Sequence, residues 1–166
     1  AVSTRCAALN VASTIYARSR HSLTHEMLAA LEKIVLSGLA DKKSVEVQEK
    51  SAHQLNVIIL SSDGFEAARR LLPQFLAQLR TKIPKARATI MPESFVAECD
   101  SNASHEVCET LWEAKVAKRV KTRANRLAKL RQGQLGISAC VSAFPYTIPD
   151  WVPDALVELA LSRSRG

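Results

Sequence analysis

Aromatic residues make up only 5% of this chain, and glycine occurs five times in 166 positions. Sandwiches and barrels draw on aromatics for their strands and on glycine for their tight turns, so an all-β architecture is excluded and close-packed helices rich in Ala and Leu are expected. No apolar run approaches the roughly 20 residues needed to cross a bilayer. Arg5 and Arg18 bracket a weakly apolar start unlike a signal peptide. No membrane partner is expected. The cysteines, Cys6, Cys99, Cys108 and Cys140, form no C-x-x-C pair. They lie among Ala and Val, the setting of reduced, buried thiols in a cytosolic or nuclear protein.

Catalytic signatures are missing as well. There is no G-x-S-x-G, H-E-x-x-H, phosphate-binding loop or Rossmann glycine pattern. The carboxylate pairs Glu46/Glu49 and Glu106/Glu109 have the spacing found on most solvated helices. His21 and His25 lie four apart but lack a third metal ligand, and Cys99, His105 and Cys108 lack a fourth. The chain is read as non-enzymatic, with no catalytic residues, no cofactor and no metal.

What is present is helical periodicity. Ser3 to Ala17 carries Cys6, Leu9, Ala12/Ser13 and Tyr16 at three- and four-residue steps. Thr24 is placed to cap a second helix with Met27, Leu28, Leu31, Ile34 and Val35 inward, and Gly38 near its end. Ser44 is placed to cap a third, with Val47, Ala52, Leu55, Ile58 and Ile59 inward. Asp63-Gly64 interrupts the chain before a fourth helix from about Phe65 to Arg80, where Pro73 is expected to kink or split it.

These helices form two copies of one unit. "ALNV" at Ala8 to Val11 returns as "QLNV" at Gln54 to Val57, 46 positions later. A period near roughly 40–47 with two helices per unit belongs to HEAT and armadillo arrays, in which each helix pair leaves an apolar face that only its neighbours cover. Asp41 before Ser44, Val47 and Ala52 fits the HEAT inter-repeat turn, with Gln48 where many repeats carry Arg. The expected fold is all-α: a HEAT/armadillo-like α-solenoid of paired antiparallel helices, cut from a longer superhelix. Residues 1–81 form two helix pairs, 82–103 an inserted loop, and 104–166 a basic helix followed by a third pair.

Charge is uneven within a net +7. Six acids and no Lys or Arg lie between Pro92 and Glu113, whereas Lys115 to Arg131 holds eight basic residues and no acid. The basic set is Lys115, Lys118, Arg119, Lys121, Arg123, Arg126, Lys129 and Arg131. On a helix whose other side carries Trp112, Val116, Val120, Ala124 and Leu127, it suits a polyanion such as an inositol phosphate, nucleic acid or an acidic protein surface. An exposed solenoid helix with snorkelling Lys and Arg stands beside that reading. Lys118-Arg119-Val120-Lys121 also fits a simple nuclear-import pattern. No aromatics interleave with the charges, which argues against stacking on single-stranded nucleic acid.

Three of the six prolines and three of the eight aromatics gather between Ser138 and Leu156. The spacing predicts a helix from Leu130 to Phe144, with Gly136, Ser138 and Ala139 small enough to admit a close neighbour. Pro145 ends it, Tyr146 to Pro149 turns, Asp150 caps the next helix and Pro153 falls in its first turn. Phe144, Tyr146 and Trp151 then fill the wedge between the two helices.

"LGISACVSAFPYTIPDWVPDALVELA" (Leu135 to Ala160) resembles the C-terminal HEAT-like region of the large monomeric proteasome activators, the proteasome activator complex subunit 4 family. Its markers are Pro145-Tyr146, Ile148-Pro149 and Trp151-Val152-Pro153, in that order. "RTKIPKAR" at Arg80 to Arg87 resembles the basic segment the family places between its last repeats. The resemblance implies a long α-solenoid that docks on the proteasome core particle and promotes ubiquitin- and ATP-independent degradation of peptides and proteins. It also implies a nuclear and cytoplasmic location, links to DNA repair, and inositol phosphates at basic openings. Two departures stand out. The chain ends at Gly166 without the family's tyrosine tail, and Ser62-Asp63-Gly64-Phe65 lacks the Asn-Phe pair to which acetyl-lysine reading has been attributed. The alternative function is a HEAT-repeat scaffold or transport adaptor that binds nucleic acid or acidic partners through the basic helix.

Overall fold

The computed structural model describes residues 1–84, 91, 95, 105–144 and 149–163. Among them are six α-helices and no strand. The helices are α1 (Val2–Ser19), α2 (His25–Leu39), α3 (Val45–Ser61), α4 (Glu66–Leu79), α5 (His105–Ser142) and α6 (Val152–Arg163). Two compact units result: Ala1–Thr81 with Ala128–Gly166, and Lys82–Leu127. The long helix α5 gives its first part to the second unit and its last part to the first.

In the first unit the expected caps form. Thr24 Oγ1 accepts from the Met27 backbone N–H at 3.3 Å, and Ser44 Oγ accepts from that of Val47 at 3.3 Å. Each satisfies a donor that the first helical turn leaves without a partner. Leu9, Ala12, Ser13 and Tyr16 of α1 are buried, and so are Val47, Leu55, Ile58 and Ile59 of α3. Helices α1, α2 and α3 pack mutually, while α4 lies against α3 and α6.

The sequence repeat acquires a structural meaning here. Leu9 and its counterpart Leu55 both sit in the core. Asn10 and its counterpart Asn56 each bond to the next helix in the stack. The Asn10 Oδ1 accepts from Gln54 Nε2 of α3 at 2.7 Å, and Asn56 Nδ2 donates to the Ala139 carbonyl of α5 at 3.1 Å. Ser13 Oγ donates to Gln54 Oε1 at 2.5 Å, completing the amide's pairing inside the core. Helices α1, α3 and the last part of α5 are thus successive first helices of stacked pairs, whose second helices are α2, α4 and α6.

The inter-repeat turn is built around Asp41. Its Oδ1 accepts from the backbone N–H groups of Lys43 (2.8 Å) and Ser44 (2.9 Å), and Arg5 of α1 pairs with its other oxygen. Burial works to raise this carboxyl's pKa, but the two backbone N–H groups and then the Arg5 guanidinium outweigh it and hold the group below its ordinary range. Gln48, buried where other repeats carry Arg, donates Nε2 to the Asp41 carbonyl at 2.5 Å. The cation that this repeat lacks at position 48 comes instead from Arg5 on the first helix of the preceding pair.

Several expectations change. Met27 and Ile34 of α2 are 55% and 43% exposed, and Glu32 takes an interior place at 4%. Pro73 does not split α4, which runs unbroken from Glu66 to Leu79. Pro73 and Arg69, whose carbonyl loses its usual donor, both lie on the exposed side of the helix, where water replaces the missing bond. The expected boundary near Leu130 is absent, and α5 is one helix of 38 residues. Gly133 and Gly136 are helix-weakening, but the Phe75 ring fills the space at Gly136, and Gln78 with the α4 backbone fills that at Gly133. Ser138 faces outward, and Gly133 serves the close approach in its stead. In the second unit, Cys108 and Trp112 of α5 are buried, whereas Val120, expected on the packed side with Ala124, is 62% exposed. Phe95, with its ring 5.0 Å from that of Trp112, covers only the first turns of that side. Cys140 is buried as expected, and burial pushes its thiol up to about 12.

Two outcomes follow from these contacts. A Cβ at Gly136 would overlap the Phe75 ring carbons, far inside van der Waals contact, so Gly136→Ala lowers stability by about 1–3 kcal/mol in urea melts. Adding Phe75→Leu recovers part of that loss, a coupling expected of touching residues. Asp41→Ala costs about 1–2 kcal/mol near neutral pH through lost turn and cap hydrogen bonds. Because the native carboxyl titrates below its ordinary value of 3.8, its contribution is complete above that pH. The contribution fades as pH falls through the depressed native value, so urea midpoints of parent and variant converge below pH 3.8.

Candidate functional site

Where the turns of the first two helix pairs meet, a cavity of about 240 Å³ opens between the end of α1 and the starts of α2 and α4. Its polar lining includes Tyr16, Arg20, His25, Glu32, Asp63 and Arg70. The Glu32 carboxylate accepts two parallel bonds from Arg70, Nη1 to Oε1 at 2.9 Å and Nη2 to Oε2 at 2.5 Å. Such a fork joins the second helices of adjacent pairs. Its hydrogen bond to Glu32 raises the Arg70 pKa, against the opposing effect of burial. Burial, then the Glu32 charge, raises the Tyr16 phenol, so it remains a donor at neutral pH. Arg20 donates to the Ser61 carbonyl and pairs with Asp63. The cavity's charges therefore largely satisfy one another, and its chemistry is that of a clamp between repeats. Sequence reasoning missed Glu32 because its partner is 38 positions away.

Phe65 is a second residue the sequence did not single out. It takes a left-handed backbone, φ 59°, at the start of α4, although Gly64 is its neighbour. Its ring lies 4.4 Å from Phe144, and Phe144 meets Trp151 edge to face at 5.2 Å. Phe144 thus reaches the preceding repeat's turn as well as Trp151 of its own pair, and the Phe65 contact helps offset a backbone conformation that costs a bulky residue energy. Val152 opens α6, with Pro153 in the first turn, so Asp150 lies one residue before the cap position and Trp151 takes that place. Pro149 is half-buried. Pro145 and Tyr146 lie outside the described residues, as does Cys99.

The basic positions divide by what they touch. In the second unit, Lys115 Nζ lies 4.6 Å over the Phe95 ring and the Arg119 guanidinium 5.6 Å over that of Trp112. Arg123 donates to the Pro84 carbonyl at 3.0 Å and Arg126 to that of Lys82 at 2.9 Å. These arginines tie α5 to the segment before it. Lys118 and Lys121 are exposed and have no partner among the described residues. In the first unit, Lys129 is exposed and Arg131 approaches Glu49 of α3 at 3.7 Å. Five of the eight basic positions thus contact a ring, a carbonyl or a carboxylate of this chain. No group of three potential metal ligands occurs among the described residues, and no described helix is long and apolar enough to cross a membrane.

Stacked helix pairs with interlocking turns define the class: a fragment of a HEAT/armadillo-type α-solenoid. Residues 127–166, which include the elbow and the last part of α5, match the family model described as proteasome activator complex subunit 4-like, C-terminal. Over 128 residues the chain is 23% identical to the proteasome activator complex subunit 4 of Xenopus laevis, covering 69% of this chain and 7% of that protein. Over 121 residues it is 25% identical to subunit 4B of Danio rerio, covering 65% and 6%. Both comparisons name the family that the elbow resembles, and the chain spans only about 7% and 6% of the length of these curated relatives. No solved structure matches.

Neutralising Glu32 tests the clamp. In a Tyr146→Phe background, Glu32→Gln moves the Tyr16 titration down towards its ordinary value, because the charge that opposes phenolate formation is gone. Ultraviolet absorbance titration reads the shift, and a lower urea midpoint accompanies it.

Proposed function

We propose that this chain is the C-terminal HEAT-repeat part of a proteasome activator, a non-enzymatic protein that docks on the proteasome core particle. On this reading it promotes ubiquitin- and ATP-independent degradation of peptides and proteins, in the nucleus and cytoplasm, with a link to DNA repair. The supporting observation is the family match over residues 127–166, a segment whose Phe144 ring meets Trp151 and the Phe65 ring of the preceding repeat. Solenoid packing accounts for nearly every buried group, which leaves binding rather than bond chemistry as the work of the surface.

Native purification of the tagged protein from its source tests this. Core particles are expected to co-purify, and their hydrolysis of fluorogenic peptides in ATP-free buffer is expected to exceed that of core particles alone. Absence of core particles from the purified material would remove the proposal. Co-purified core particles with unstimulated hydrolysis would remove its activating half.

A further inference from the structure

The first part of α5 carries two stripes, and among the described residues only one of them is packed against another segment. Cys108 and Trp112 are buried, Trp112 against Phe95, with Arg119 and Arg123 on the same flank. On the other side, Val107, Leu111, Ala114, Lys118 and Lys121 follow one another at alternating steps of four and three. This is the spacing of the contact seam of a coiled coil. All five are exposed, with Val107 at 48% and Leu111 at 54%. The seam is graded: its first turns are apolar, and its later turns present lysines without partners among the described residues.

We infer that this face binds an acidic amphipathic helix of a partner protein, with apolar residues against Val107 and Leu111 and carboxylates against Lys118 and Lys121. Charge complementarity identifies the occupant. No acid lies within one helical turn of Lys118 or Lys121 along α5, so the strip presents a local positive charge that carboxylates of a partner complement. The apolar half favours a protein helix over nucleic acid, since a phosphate backbone gains nothing from Val107, Leu111 and Ala114. The side chains best suited to forked phosphate contacts, Arg119, Arg123 and Arg126, are engaged by a Trp ring and two backbone carbonyls. A helix in the partner's groove or seam is a recurrent mode of recognition, read through anchors at this spacing. The surface is independent of the proteasome reading and lies outside the family-matched segment.

The test uses the whole chain and two synthetic helical peptides of about 18 residues. Both carry leucines in one half of a heptad seam and glutamates in the other, one peptide for each orientation. Fluorescence anisotropy should show saturable binding of at least one of them. Lys118→Glu with Lys121→Glu is expected to weaken it about ten-fold or more, and Leu111→Ser about five-fold. Circular dichroism should remain unchanged, because all three positions are exposed. Equal binding of a glutamate peptide with serines in place of the leucines would overturn the inference. So would full competition by duplex DNA or inositol hexakisphosphate at equal charge, indifference to Leu111→Ser, or no saturable binding of either peptide. None of these outcomes bears on co-purification with core particles.

Discussion

The closeness with which the third helix pair can approach the second depends on two glycines of α5 set against α4. The fully buried Phe75 ring lies where a side chain at Gly136 would otherwise stand, while the α4 backbone at Phe75 and Leu79 and the Gln78 side chain close on Gly133. A helix interior normally loses about 1 kcal/mol at each glycine relative to alanine, so two glycines so close together are a local weakness that only tertiary contact can offset. Close packing against α4 supplies that contact, since interiors tolerate little void or overlap. With α5 seated there, Asn56 reaches the Ala139 carbonyl and Arg131 approaches Glu49. Phe144 can then meet both Phe65 and Trp151. The segment that carries the family resemblance owes its position to this contact.

Polar residues hold the first unit at both ends of its helices. On one side, Asp41 gathers two backbone donors and the Arg5 guanidinium into the inter-repeat turn. On the other, the Glu32–Arg70 fork and the Arg20–Asp63 pair join successive turns. Arg80 and Glu158, 2.9 Å apart, continue the pattern from α4 to α6. Exposed ion pairs of this kind contribute little singly. Glu32 differs because its carboxylate is almost wholly buried, and an unpaired charge there would be costly. The cavity beside it is shaped by these pairings, which explains why its charges face one another.

The eight basic residues within 17 positions of α5 differ in what they touch. Arg123 and Arg126 close hydrogen bonds to carbonyls of the preceding segment, and Lys115 and Arg119 lie over aromatic rings. Lys118 and Lys121 are exposed and follow Val107 and Leu111 along one strip.

By itself the sequence determined what depends on neighbours a few positions apart. Helical periodicity, the caps at Thr24 and Ser44, the 46-residue repeat and the proline-rich elbow are all local, and the family resemblance rests on such local residues. It could not reveal that Met27 and Ile34 face outward while Glu32 turns in, since the deciding partner, Arg70, stands in another repeat. Nor could it reveal that α5 runs unbroken through two glycines, or that Phe65 adopts the left-handed turn beside a glycine. In each case a local preference was outweighed by a contact between residues distant in the chain, and only the packed structure brings those residues together.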